Sequence, residues 1–167
     1  RLTVEEFKKV DKLPIIIVLD NIRSLNNIGS IFRTADAFKV SRVYLCGITA
    51  KPPHREIQKT ALGATESVDW AYFNTTEESI GQLKKDGFSV LAVEQAEHSI
   101  GLNKFTPEKD QKLALVFGHE VHGVDQHIVD ICDGCLEIPQ FGTKHSFNVS
   151  VTAGIVMWDI FNKIKNA

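Results

Sequence analysis

Three stretches of the sequence gather side chains that could do chemistry, and each follows an apolar run. The first, residues 21–38 (NIRSLNNIGSIFRTADAF), carries Asn27 and Arg33. The second, residues 118–125 (GHEVHGVD), sets Glu120 between two histidines and two glycines. The third, residues 136–153 (LEIPQFGTKHSFNVSVTA), places Ser146, Asn148 and Ser150 behind a loop with Pro139, Gly142, Lys144 and His145. Pro139 has no backbone N–H and Gly142 permits conformations other residues avoid, so this loop suits exposed or unusually placed backbone groups. Glycines bracketing Glu120 likewise let backbone amides approach a ligand while the carboxylate points toward it. The chemistry suggested is ligand binding by backbone amides and small polar side chains.

Simpler roles compete at each position. Ser146 or Asn148 could cap the helix that begins there, but one cap needs one residue and the segment supplies three. Arg33 could be a solvated surface arginine paired with Asp36 or Asp20. His119 and His122 are three apart in a glycine-bounded loop, whereas the protease zinc motif needs histidines four apart on a helix, with the glutamate directly after the first; no metal site is expected. Cys132 and Cys135 form a C-x-x-C, yet the pair falls between a helix-like segment and a strand and has no second pair to complete a zinc site. With Cys46 the cysteine count is odd, which fits reduced thiols.

The elements that must position these loops alternate between strand and helix. Residues 14–20 (PIIIVLD), 88–93 (FSVLAV) and 112–117 (KLALVF) are continuous apolar runs, the pattern of strands buried on both faces. Shorter strands are expected at 42–45, 68–73 and 136–138. Residues 21–27 read as a polar loop, and Ile28, Ile31, Phe32, Ala35 and Phe38 then recur at helical spacing. Further helices are expected at 75–85, with Thr75 or Thr76 as cap and Gly87 past the end, at 126–132 with Asp125 as N-cap, and at 149–164. Residues 94–99 read as a polar turn. The result is an α/β fold with a mainly parallel sheet flanked by helices, where ligands bind beyond the carboxyl ends of the strands.

The 167 residues, 43% of them hydrophobic, suffice for one core: residues 1–13 form a short helix or arm and 14–167 the domain. A formal net charge of −2 gives no global positive field, so any nucleic-acid contact must be local. Arg55 and Lys59, four apart, share a helix face and make a modest basic patch; a solvated face is the alternative reading. No apolar run has transmembrane length and no signal pattern opens the sequence, which points to a soluble cytoplasmic protein. With Arg1 first and Met157 the only methionine, further residues are expected before Arg1. The sequence lacks G-x-G-x-x-G after its first strand, a phosphate loop and a G-x-S-x-G elbow, so dinucleotide, nucleotide-hydrolase and esterase readings lose their anchors.

Taken in order, the three loops resemble the motifs of the SpoU-type (TrmH-type) RNA ribose 2′-O-methyltransferases of the SPOUT class. Motif one is matched by Asn27-x5-Arg33-Thr34-x-Asp36, motif two by Leu115-Val116-Phe117-Gly118-x-Glu120-x2-Gly123, and motif three by Ile138-Pro139 with Ser146-Phe147-Asn148-Val149-Ser150. Phe147 stands where the family usually has leucine, which bears on the shape of the adenine pocket. The resemblance implies a C-terminal trefoil knot and a homodimer with composite active sites. The apolar residues of 149–164, spread over more than one stripe, are compatible with burial on several sides.

The donor implied is S-adenosylmethionine, held by backbone at Val93, Gly118, Ile138 and Phe147. The reaction implied is methyl transfer to a ribose 2′-hydroxyl in tRNA or rRNA, with Arg33, Asn27, Glu120, Ser146 and Asn148 as catalytic residues. Arginine with a pKa above about 12 is a poor free base, so clamping a phosphate and stabilising developing charge is the better role for Arg33, the phosphate being one destination for the proton. Arg33, Arg55, Lys59 and Lys144, with Lys51, His54 and His145, form the candidate RNA-docking surface. Two other readings stay open: a non-catalytic RNA-binding protein of the same fold, and a SPOUT enzyme that methylates a base. The absence of an accessory domain leans toward tRNA, by fold-level analogy only.

Overall fold

A computed structural model of the chain describes residues 1–144 and 146–166; His145, expected in the docking surface, lies outside the described residues. Its strands are β1 (Leu13–Asp20), β2 (Val40–Cys46), β3 (Asp69–Phe73), β4 (Ser89–Val93), β5 (Ile100–Gly101), β6 (Leu113–Phe117) and β7 (Gly134–Glu137). Its α-helices are α1 (Val4–Lys9), α2 (Leu25–Ala37), α3 (Arg55–Ala61), α4 (Ala64–Ser67), α5 (Thr76–Lys85), α6 (Gln126–Ile131) and α7 (Val149–Lys165). The strands form one sheet in the order β3-β2-β1-β6-β4-β7-β5. Every ladder is parallel. The carboxyl ends of β1, β6, β4 and β7, at Asp20, Phe117, Val93 and Glu137, therefore lie along one edge of the sheet, where an open α/β fold binds ligands.

Both faces of the sheet are covered, which is why the central strands read as unbroken apolar runs. On β1, Ile15, Ile17 and Leu19 turn toward α2, α3, α4 and α7, while Ile16 and Val18 turn toward α5 and α6. This is the period-two alternation of a strand, hidden in the sequence because both faces are dry. Phe32 on α2 and Phe117 on β6 are fully buried; side chains of this kind each contribute about 1.5–3 kcal/mol relative to exposure.

Several boundaries differ from the sequence reading, each for a local reason. α2 begins at Leu25, so Asn26 and Asn27 occupy its first turn instead of a loop; Ser24 caps it, its Oγ accepting the Asn27 N–H at 3.1 Å. β7 begins two residues and ends one residue earlier than expected, since Gly134, Cys135 and Leu136 pair with Leu91, Ala92 and Val93; Ile138 lies outside the strand. Residues 100–101 add an edge strand that is too short to show a period. Thr75 caps α5, accepting the Glu78 N–H at 3.2 Å. Asp125 holds the N-cap position of α6 but makes no side-chain cap bond. On α7, Ala153, Val156, Met157 and Ile160 are buried against the chain's own core, while Val151 and Trp158 stay half exposed at 50% and 54%.

Candidate active site

A cavity opens at the carboxyl edge of the sheet. Its walls are residues 93–95 at the end of β4 and beyond it, residues 117–123 at the end of β6 and beyond it, residues 136–138 and Gln140 at the end of β7 and beyond it, and Ser146, Phe147, Val149 and Thr152 around the start of α7. Four separate chain segments thus converge on one pocket, and all four follow or precede buried elements that fix their positions.

The loop after β6 is folded tightly on itself. The His119 N–H donates to the Gly123 carbonyl at 3.0 Å and the Gly123 N–H returns to the His119 carbonyl at 2.8 Å. A Cβ on Gly118 would lie 2.2 Å from backbone atoms of Gly123 and Val124, so only glycine fits there. Inside the loop, Nδ1 of His119 accepts the N–H groups of Val121 at 3.1 Å and His122 at 3.3 Å. The His119 and His122 rings stack with centroids 4.9 Å apart. Two N–H donors on Nδ1 place the His119 proton on Nε2, which explains the ring's fixed position without a metal.

Glu120 reaches out of this loop to the start of α2. Its Oε1 accepts the Ser24 N–H at 2.9 Å and its Oε2 the Arg23 N–H at 3.2 Å. Burial pushes the Glu120 carboxyl up, but the Ser24, Glu120 and Arg23 N–H groups and the Asn27 amide together hold it below the usual carboxylate range. A carboxylate at the positive end of a helix is favoured for the same reason. Asn27 therefore belongs with Glu120, and the first and second motifs are physically joined.

The third motif serves two purposes. Asn148 Oδ1 caps α7, accepting the Ser150 N–H at 2.8 Å and the Ser150 hydroxyl at 2.6 Å. That oxygen is committed to the cap, while the side-chain amide N–H groups are not part of it. Ser146 and Phe147 line the cavity, and so do Val93, Gly118 and Ile138.

Arg33 does not line the cavity. It is exposed on α2, nine residues beyond Ser24, which along a helix is roughly 13 Å from the Glu120 contact. Nor does it pair as the simpler reading had it: Asp36 accepts the Ser67 hydroxyl at 2.5 Å and the buried Asp20 accepts the Thr76 hydroxyl at 2.6 Å. Desolvation raises the Asp20 carboxyl despite that bond.

The expected docking surface divides into different local roles. His54 caps α3 through Nδ1, which accepts the Glu56 N–H at 3.1 Å. Lys59 pairs with Glu56 at 3.0 Å, and Lys51 lies over the Tyr72 ring at 4.7 Å. Arg55 and Lys144 are exposed. One structural contributor was missed in the sequence: Glu94, directly after β4, whose Oε2 accepts the Val124 N–H at 3.2 Å and buttresses the loop. An acidic residue at the end of a buried strand was the available signal. Cys132 is pushed to about 12 by burial and the neighbouring Cys135, and Cys135 is also raised, as befits inert thiols.

Comparison with known proteins now bears on this geometry. The family model described as SpoU rRNA Methylase family matches residues 14–158. The chain belongs to that family. A Staphylococcus aureus protein assigned by name to the TrmH family of tRNA/rRNA methyltransferases is 31% identical over 160 residues, covering 96% of this chain and 63% of the relative. The chain thus spans somewhat under two thirds of that relative's length. Among solved structures, an AdoMet-bound rRNA methyltransferase from Sinorhizobium meliloti superposes with a TM-score of 0.84 at 25% identity, over 93% of this chain and 59% of that one. A TrmH/SpoU tRNA modifying enzyme from A. aeolicus gives 0.85 at 25% identity, over 98% and 81%. The fold of this family is the fold described above.

Proposed function

We propose that the protein is an RNA methyltransferase that moves a methyl group from S-adenosylmethionine to a ribose 2′-hydroxyl in tRNA or rRNA. The observation that carries this reading is the cavity: Val93, Gly118, Ile138 and Phe147, the four positions at which the family resemblance puts the donor, all line it. The chemistry of the lining suits that donor. Val93, Leu136, Ile138 and Phe147 offer an apolar wall for an adenine, Gly118 leaves room for a close approach to backbone, and Glu94, Glu120 and Glu137 supply negative charge for a cation carrying a sulfonium and an ammonium. Bound there, the donor supplies an electrophilic methyl group. The AdoMet-bound S. meliloti relative supports the assignment.

The protein's own task is to bring a ribose hydroxyl to that methyl and to stabilise the oxygen as negative charge grows on it. Arg33 is the side chain we assign to this, as a clamp on the neighbouring phosphate. Because Arg33 stands away from the cavity of its own chain, it must come from a second copy. The half-exposed Trp158 and Val151 on α7, beside the aromatic cluster of Phe38, Trp158 and Phe161, give that copy an apolar surface to bury. We therefore read the protein as a homodimer with composite sites, the chain beyond β6 forming the knot that the resemblance implies. Ser146 and Asn148 are assigned to orient the nucleotide; Arg55, Lys59 and Lys144 are the RNA contacts, and we place the protein in the cytoplasm. No helix among the described residues is long and apolar enough to cross a membrane.

Mixing two inactive chains tests this directly. Arg33→Ala should fold and bind the donor yet lose transfer, and Gly118→Ala should lose the donor cavity. Activity regained on mixing them supports a site built from two chains. Near-normal activity of Arg33→Ala alone removes Arg33 from the mechanism.

A further inference from the structure

The cavity at the carboxyl edge of the sheet leaves one large apolar side chain beside it without a task. Phe141, in the loop between β7 and α7, is 95% exposed, more than any other large hydrophobic residue among the described residues. Val121 and Phe147 are exposed as well, but both line the cavity, where an occupant covers them. Phe141 does not line it. Its neighbour Gln140 does, and so does Ser146 on the far side of the loop. Consecutive Cα atoms are only about 3.8 Å apart, so Phe141 stands at the rim. Among the described residues, no other aromatic ring and no cation packs on its ring.

We propose that Phe141 stacks on an unpaired base next to the ribose that receives the methyl group, which makes the substrate segment single-stranded. This inference rests on the methyl-transfer reading above. Two occupants could cover an exposed phenyl ring here, the RNA or a second copy of the chain, and the composition of the loop favours the RNA. Obligate interfaces between copies resemble a core cut in half. In this loop, however, Phe141 is the one large apolar residue between Gln140 and Ser146, and Gly142, Thr143 and Lys144 beside it are exposed with it. The apolar surface given above to the second copy lies instead on α7, at Val151 and Trp158. An aromatic ring with a cation three residues away on a polar loop is suited to single-stranded nucleic acid, the ring taking the face of a base and the ammonium of Lys144 a phosphate. A duplex offers no free base face, so the ring selects a nucleotide in a loop, bulge or end. Every base has such a face, so Phe141 sets the structural context of the target more than the identity of the base. Arg33 and the phosphate keep the roles given above.

The test uses the full chain with S-adenosylmethionine and total RNA from a strain lacking the gene. Phe141→Ala should raise the RNA concentration needed for half-maximal rate by about tenfold or more while kcat is kept. Phe141→Trp should hold the wild-type value, and Phe141→Leu, apolar but without a ring face, should resemble the alanine variant. Donor affinity by calorimetry and sedimentation mass should be unchanged in all three. The tryptophan emission that Phe141→Trp adds to that of the wild-type chain should be quenched by the RNA, as stacking on a base requires. Wild-type dependence on RNA in either the alanine or the leucine variant overturns the proposal. A changed sedimentation mass overturns it in favour of contact between copies, and lost donor affinity in favour of the donor cavity. Failure of the wild-type chain to make any 2′-O-methyl nucleoside would strike the functional reading itself, and this proposal with it.

Discussion

Glu120 and Ser24 lie 96 residues apart and are joined by a 2.9 Å hydrogen bond from the Ser24 N–H to the Glu120 carboxylate. That bond, with its partner from Arg23, fastens the loop after β6 to the start of α2 and so sets one wall of the cavity relative to the helix that bears Arg33. The carboxyl's titration falls below its ordinary value of 4.5, so its contribution to stability is present above pH 4.5 and is lost as the pH falls through the lowered value. Glu120→Gln should therefore remove part of the acid dependence of urea unfolding below pH 4.5. An unchanged acid profile would show that the contact does not hold in solution. The group is exposed, so the effect should be small.

Asp20 should show the opposite sign. Its carboxyl is raised above 3.8 because burial penalises the charge more than the Thr76 hydroxyl and the Asp125 N–H compensate. Its ionisation thus costs stability as the pH rises from 3.8 through the raised value. Asp20→Asn should abolish that loss, seen as a smaller drop in unfolding free energy between pH 3.8 and neutrality than wild type shows. An identical drop in both proteins would remove Asp20 as its source.

Much of the fold was legible because buried strands leave an unmistakable run, as in β1 and β6. The short pieces were not. β5 has two residues and no period, and α2 starts inside an Asn-rich stretch because Ser24 supplies a cap that outweighs the loop-like composition. In the site, the polar loops could be placed at strand ends from sequence alone, but not the committed state of each side chain. That Asn148 caps α7 while Ser146 faces the cavity depends on which oxygen meets which N–H, and no spacing rule decides it. The separation of Arg33 from the cavity was equally invisible, since six residues from Asn27 to Arg33 turn a helix to a different face.

Gly118 should tolerate no side chain. A Cβ would meet the Gly123–Val124 backbone at 2.2 Å, where no flexible group can yield. Gly118→Ala should leave the sheet intact by circular dichroism but weaken binding of S-adenosylmethionine at least tenfold by calorimetry, about 1.4 kcal/mol or more. Wild-type affinity would show that the loop relaxes and that the close approach is not needed.

Asn148→Ala removes the α7 cap and should cost about 1 kcal/mol of unfolding free energy. Asn148→Asp keeps the accepting oxygen and should recover most of it. If Asn148→Asp instead abolishes methyl transfer at wild-type stability, the amide has a role at the substrate beyond the cap.

The central claim is the transfer of a methyl group to a ribose hydroxyl, and nucleoside analysis reads it most directly. The protein is incubated with methyl-labelled S-adenosylmethionine and total RNA from a strain lacking its gene, and the RNA is digested to nucleosides and resolved by mass. The account predicts the label in a 2′-O-methyl nucleoside at one position of a tRNA or rRNA, with the added mass on the ribose fragment. Label on a base fragment, or none at all from a chain that binds the donor, would contradict it.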